Sequence, residues 1–83
     1  MTPVAVIAGA GEGLGFALAR RFARAGYLVA LAARNAERLE RLAGEIRKAG
    51  GGALAAPTDA RNEEEVIALF DELEAEHGPV EVA

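Results

Sequence analysis

The sequence predicts an α/β fold in three layers, a parallel sheet with helices on both faces. Short β-like runs alternate with amphipathic stretches along all 83 residues, which is the arrangement that crossover helices require. The β-like runs are continuously apolar rather than alternating, as in strands buried on both faces. Glycines follow each amphipathic stretch, where helices end.

Pro3-Val-Ala-Val-Ile-Ala8 is the first such strand, and a glycine-rich turn from Gly9 to Gly15 follows it. From Gly13 to Ala25 the positions Leu14, Leu18 and Phe22, with Ala19 and Ala23, form one helical stripe, and Arg20, Arg21 and Arg24 fall opposite. Gly26 ends this helix with a left-handed residue. Tyr27 to Ala33 is a second buried strand, and Asn35 suits the N-cap of a second helix from Ala36 to Ala49. Its apolar seam is Leu39, Leu42, Ala43 and Ile46; Glu37 and Arg41 stand at the four-residue spacing of a helix pair, and Arg47 and Lys48 favour its negative end. Gly50-Gly-Gly52 stops it.

Ala53 to Ala56 reads as a weaker third strand, which Pro57 places at a sheet edge or terminates. Asn62 with Glu65 three residues on resembles a capping box, and Val66, Leu69, Phe70 and Leu73 give the third helix its buried face. Gly78-Pro79 breaks that helix, and Val80 to Ala83 opens a fourth strand. Right-handed crossovers put the strands in the order 3-2-1-4, with the fourth cut short at the last residue. A chain that stops inside an apolar strand reads as incomplete.

Composition narrows the function classes. The residues are 52% apolar, 27% charged and 5% aromatic, with no cysteine, which excludes a disulfide framework, a thiolate metal site and a cysteine nucleophile and fits a reducing cytoplasm. A chain this short supports one domain, 1–83, and buries only about 60 to 65% of its unfolded surface. No run is long enough for the roughly 18 apolar residues of a membrane helix. The formal net charge is −4, with eight basic and four acidic residues up to position 48 and one basic and nine acidic beyond it. The basic excess is interleaved with Glu on helices and nearly without aromatic residues, so we read it as solvated surface rather than a nucleic-acid patch. Glu63-Glu-Glu65 suits a first helical turn, and consecutive helical side chains diverge too far to hold one metal. His77, the single histidine, reads as a surface residue at a helix C-terminus.

One constellation carries chemistry: a strand, then Gly9-Ala-Gly11-Glu-Gly13-Leu-Gly15, then a helix. A helix start offers unpaired N–H groups and a partial positive charge to a phosphate. Glycine removes the β-carbon that would hold a pyrophosphate away. A P-loop is excluded, since the first lysine is Lys48. The common G-x-G-x-x-G spacing is absent; glycines stand at i, i+4 and i+6, namely Gly9, Gly13 and Gly15.

In that spacing the sequence resembles the short-chain dehydrogenase/reductase family, whose cofactor loop reads T-G-x-x-x-G-x-G after the first strand. The resemblance covers essentially the whole chain and implies a Rossmann-type fold. It implies cofactor contacts at Gly9, Gly11, Glu12, Gly13, Leu14 and Gly15, with the three spaced glycines cradling the pyrophosphate. Ala8 stands where the family has a hydroxyl residue, so one bond that fixes the turn is missing, and Glu12 stands where NADP-dependent members often carry a base. At the end of the second strand Ala33 replaces the aspartate of NAD-preferring relatives and Arg34 follows it, with Asn35 next. The guanidinium fork suits a 2′-phosphate, which favours NADP(H), with NAD(H) the alternative because Glu12 repels phosphate. Thr58-Asp59-Ala60 resembles the family's adenine step, in which the Asp59 carboxylate accepts from the adenine amino group and the Ala60 backbone lines the ring; on sequence alone an Asp between a strand and a helix is more often a turn or cap residue.

The family moves hydride between nicotinamide and a carbonyl or alcohol with a Tyr-x-x-x-Lys pair and a serine. These 83 residues contain no serine, and the only tyrosine, Tyr27, is followed four residues later by Leu31. The expectation is therefore the NADP(H)-binding portion of an oxidoreductase, inactive by itself, whose catalytic half lies elsewhere. The alternative is a stand-alone, non-catalytic nucleotide-binding or self-associating fragment. Either way the unfinished fourth strand invites homo-oligomers, and neither membrane nor nucleic acid is an expected partner.

Overall fold

A computed structural model describes residues 3–8, 13–59 and 61–82. The elements follow as β1 (Val4–Ala8), α1 (Leu14–Arg24), β2 (Leu28–Ala33), α2 (Ala36–Lys48), β3 (Gly52–Pro57), α3 (Glu63–His77) and β4 (Val80–Val82). All pairings are parallel and the sheet runs β3-β2-β1-β4. β1 lies inside, with Val4 opposite both Leu28 and Val80. The third strand is longer than Ala53 to Ala56: Gly52 pairs with Leu28 and Pro57 with Ala33. Pro57 is tolerated because β3 is an edge, where a missing donor disrupts no second ladder.

Alternate residues of the inner strands feed two cores. Ile7, Val29, Leu31 and Ala53 face Ala19 of α1 and the seam Leu39, Leu42, Ala43 and Ile46 of α2. Val4, Val6, Ala30 and Ala32 face Leu73 of α3, with Leu69 and Phe70 packed beside it. Two helices thus cover one face and one helix the other, giving three layers. Val66 is half-buried on the same helix.

The stripe expected on α1 holds at Ala19, Phe22 and Ala23, but Leu18 is 38% exposed and Phe16 packs against the core instead. The fully buried methyl of Ala19 lets the helix lie close to the sheet, and Phe16, three residues before it, fills the space at the helix start. His77 is likewise not fully exposed: it is half-buried, with Nε2 3.6 Å from the Glu76 carboxylate.

The two helices on the same face end alike. Gly26 and Gly50 have φ of 94° and 95°. The Gly26 and Tyr27 amides donate to the Ala23 and Phe22 carbonyls, and those of Gly50 and Gly51 to Arg47 and Ile46. Both patterns are the Schellman motif, which satisfies carbonyls the last turn leaves open. Arg47 Nε also donates to the Ala53 carbonyl at 2.9 Å, tying α2 to the edge strand.

Candidate functional site

Three segments converge at the carboxyl ends of the strands, where parallel α/β sheets bind ligands. Gly13 follows β1, Arg34 follows β2 and Asp59 follows β3. Gly9, Gly11, Glu12 and Ala60 lie outside the described residues, as does the side chain of Leu14.

The three helix starts differ. Asn35 Oδ1 accepts from the Arg38 amide at 3.0 Å, and Asn62 Oδ1 from the amides of Glu64 and Glu65 at 3.1 and 3.3 Å. Helices α2 and α3 thus satisfy their own first-turn donors. Helix α1 starts at Gly13, with φ 92°, no side-chain cap and no acidic residue in its first turn. Among the described residues no side chain caps its leading amides, which leaves their donors and partial positive charge for an outside acceptor. Gly15 is the second residue of that helix.

Arg34 is exposed at the end of β2. The Thr58 amide donates to the Ala33 carbonyl at 2.8 Å, carrying the β2–β3 ladder one step past the strands and bringing Arg34 beside the Thr58-Asp59 segment. Thr58 is buried, and its hydroxyl donates to the Ala56 carbonyl at 2.9 Å. Asn35, expected near the cofactor, has its amide oxygen engaged as the α2 cap.

Asp59 is held on several sides. Its Oδ1 accepts from the Arg61 amide at 3.0 Å and from Arg61 Nε at 3.3 Å. Its carbonyl accepts from the Asn62 amide at 2.9 Å, and its own amide donates to Glu65 Oε1 at 3.3 Å. The capping box is therefore only half made: Asn62 N–H is already satisfied by Asp59, so Glu65 reaches back to Asp59 instead. The backbone amide of Arg61 chiefly, then its guanidinium, with the Arg34 charge contributing, holds the Asp59 carboxyl below its ordinary value. Arg61 is the residue the sequence reading passed over; its only signal was the two-residue spacing from Asp59, which fits an Asx turn.

A surface groove of about 740 Å³ runs between α1 and the C-terminal end of α2, away from these strand ends. It is lined by Arg20, Arg24 and Lys48; Arg24 and Lys48 stand in the last turns of their helices, and the Arg20 guanidinium lies over the Phe16 ring, 5.8 Å from its centroid. Among the described residues no cluster of His, Asp and Glu could hold a metal ion, and no helix is long and apolar enough to cross a membrane.

The sequence matches the family described as short chain dehydrogenase over residues 3–82. The chain belongs to that family. Among curated short-chain dehydrogenase relatives, a short chain dehydrogenase of Pseudocercospora fijiensis is 36% identical over 78 residues, covering 94% of this chain and 25% of the relative. The mouse 3-oxoacyl-[acyl-carrier-protein] reductase is 38% identical over 80 residues, 96% of this chain and 33% of that one. Among solved structures, a metagenomic short-chain oxidoreductase in complex with NADP superposes with a TM-score of 0.90 at 36% identity, over 96% of this chain and 36% of that one. Actinorhodin polyketide ketoreductase with NADPH gives 0.87 at 35% identity, over 95% and 30%. The chain thus spans a quarter to a third of the curated relatives cited, and the Rossmann fold of the solved short-chain oxidoreductase is the fold described above.

Proposed function

We propose that residues 1–83 form the dinucleotide-binding half-domain of a short-chain dehydrogenase, with NADP(H) as its cofactor. The observation that carries this reading is the contrast between helix starts: α2 and α3 are capped by asparagine, whereas α1 opens on a positive-φ glycine with no side-chain cap among the described residues and no acidic residue within its first turn. A pyrophosphate accepts from such amides without displacing a side chain. The family's loop spacing at Gly9, Gly13 and Gly15, with Gly11, Glu12 and Leu14 between them, puts the diphosphate there.

Arg34 takes the 2′-phosphate. It is exposed, stands at the end of β2, and supplies a planar fork of donors matched to phosphate oxygens. Asn35 sets the start of α2 and so the direction in which Arg34 leaves the sheet. Asp59 accepts from the adenine amino group, and the Ala60 backbone lines the ring. The bound nicotinamide supplies hydride exchange with a carbonyl or alcohol. The serine, tyrosine and lysine that the chemistry needs belong to the remainder of such an enzyme, so this segment binds cofactor without turnover. The cysteine-free sequence suits a reducing, cytoplasmic setting. β4, paired only with β1 among the described residues, is the position at which a further strand or a second copy adds.

Calorimetric titration of the 83-residue chain with NADPH and with NADH tests the reading. Saturable binding that is tighter for NADPH is expected. Absence of binding to either at millimolar concentration overturns the cofactor reading, and tighter NADH binding overturns the role of Arg34.

A further inference from the structure

Among the described residues at the strand ends, Arg61 is a cation to which the binding reading gives no task. We propose that Arg61 is a positioning residue for adenine recognition, turning the Asp59 carboxylate so that a single oxygen is presented to the amino group of the base. The inference rests on the adenine role of Asp59 given above and goes beyond it.

Asp59 has four hydrogen-bonding groups, and three are engaged within the protein. Its amide donates to Glu65, its carbonyl accepts from Asn62, and Oδ1 accepts twice from Arg61, through the amide and through Nε. Oδ2 is left without a partner among the described residues. The bond from the amide alone lets Oδ1 swing about the Cβ–Cγ axis within hydrogen-bond reach; the second bond from Nε narrows that swing, and because the carboxylate is planar, holding Oδ1 also sets Oδ2. Oδ2 is then an anionic acceptor in a set direction, which suits an N–H donor such as an exocyclic amine. A carboxylate free to rotate would accept equally from water.

The Arg61 amide first, then its guanidinium, with the Arg34 charge from the end of β2, favour the ionised acceptor against the cost of burial. Asp59 and Arg61 together line a shallow, open depression beside the start of α3, and the Asp59 side chain is 30% exposed. The Arg61 side chain is 75% exposed, so substituting it removes no packing.

The test compares NADPH with its analogue in which the purine carries hydrogen in place of the 6-amino group, against the native chain, R61Q and R61K. The native chain is expected to prefer NADPH by about tenfold, the size of one hydrogen bond to a charged acceptor. In R61Q the preference is expected to fall to about threefold, as the exposed pair is lost while the backbone bond remains. R61K keeps the charge without the fork and is expected to behave like R61Q. Binding of the analogue itself should change little among the three, which separates positioning of Asp59 from a general loss of positive charge. A native preference that R61Q leaves intact overturns the role of Arg61 and leaves the cofactor reading standing. A native chain that binds both compounds equally removes adenine recognition by Asp59 and the inference with it. A native chain that binds neither removes the cofactor reading itself.

Discussion

Phe22 and Tyr27 meet edge to face, with ring centroids 5.1 Å apart and planes at 88°. They are the two residues of the Schellman turn joined by the bond from the Tyr27 amide to the Phe22 carbonyl at 3.1 Å. The apolar contact that usually accompanies this motif is here an aromatic pair. It closes α1 onto the start of β2, and both rings pack against the core shared with α2.

Phe22→Ala is accordingly expected to cost about 2 kcal/mol, less than a fully buried phenylalanine because the ring is only half-buried. Urea unfolding of Phe22→Ala, Tyr27→Ala and the double variant should show a coupling of about 1 kcal/mol beyond the separate losses. Additive losses would show that the edge-to-face geometry contributes nothing of its own.

Glycines in and after α2 are expected to respond in opposite directions. Gly44 lies inside the helix, and a β-carbon there meets nothing within 4 Å. Gly44→Ala should stabilise by about 0.5 to 1 kcal/mol by removing glycine's excess freedom in the unfolded chain. A β-carbon on Gly51 would stand 3.0 Å from Ala23 Cβ and 3.0 Å from Ile46 Cγ2. Gly51→Ala should therefore destabilise by about 1 to 3 kcal/mol through overpacking between α1 and α2. Thermal unfolding of the two variants reads the contrast directly, and equal shifts would contradict the close approach at Gly51.

The Asp59 carboxyl should titrate below its ordinary 3.8, held down by the Arg61 amide first and its guanidinium second. A depressed carboxyl stabilises the fold at pH values above the unfolded pKa. That contribution is lost as pH falls through the lower, folded value. Native protein and Asp59→Asn should accordingly differ in stability at neutral pH and converge in acid below the folded midpoint. Carbon-detected NMR titration of the side chain gives that midpoint, and R61Q should raise it. A midpoint at or above 3.8 in the native chain would show that the two bonds are absent in solution.

Arg34→Ala is expected to weaken NADPH binding by about 10- to 100-fold, the range of one charge-assisted contact. NADH binding should change by less than about threefold, since only the 2′-phosphate differs. Because Arg34 is exposed at the end of β2, stability should hold within about 0.5 kcal/mol. Calorimetry with both cofactors measures the ratio, and parallel losses would place Arg34 away from the 2′-phosphate.

Local chemistry was legible in the sequence. Each helix and strand was set by a periodicity or a cap within a few residues: Asn35 and Asn62 at two helix starts, Gly26 and Gly50 after two helix ends, and the seam Leu39, Leu42, Ala43 and Ile46. The glycine spacing marked the family, because the chain's own order puts it between the first strand and the first helix. Tertiary packing decided the rest. Leu18 and Phe16 are both apolar on α1, and only the close seating of Ala19 on the sheet selects Phe16 for the core. Gly51 looks like part of a helix stop, yet its lack of a β-carbon is demanded by Ala23, distant in sequence and in contact through space. Glu65 reads as half of a local capping box, and it turns to Asp59 because the Asn62 amide is already engaged there. Helix periods and caps depend on neighbours along the backbone, so sequence alone determines them; which of two competing partners a side chain takes depends on what folding brings beside it.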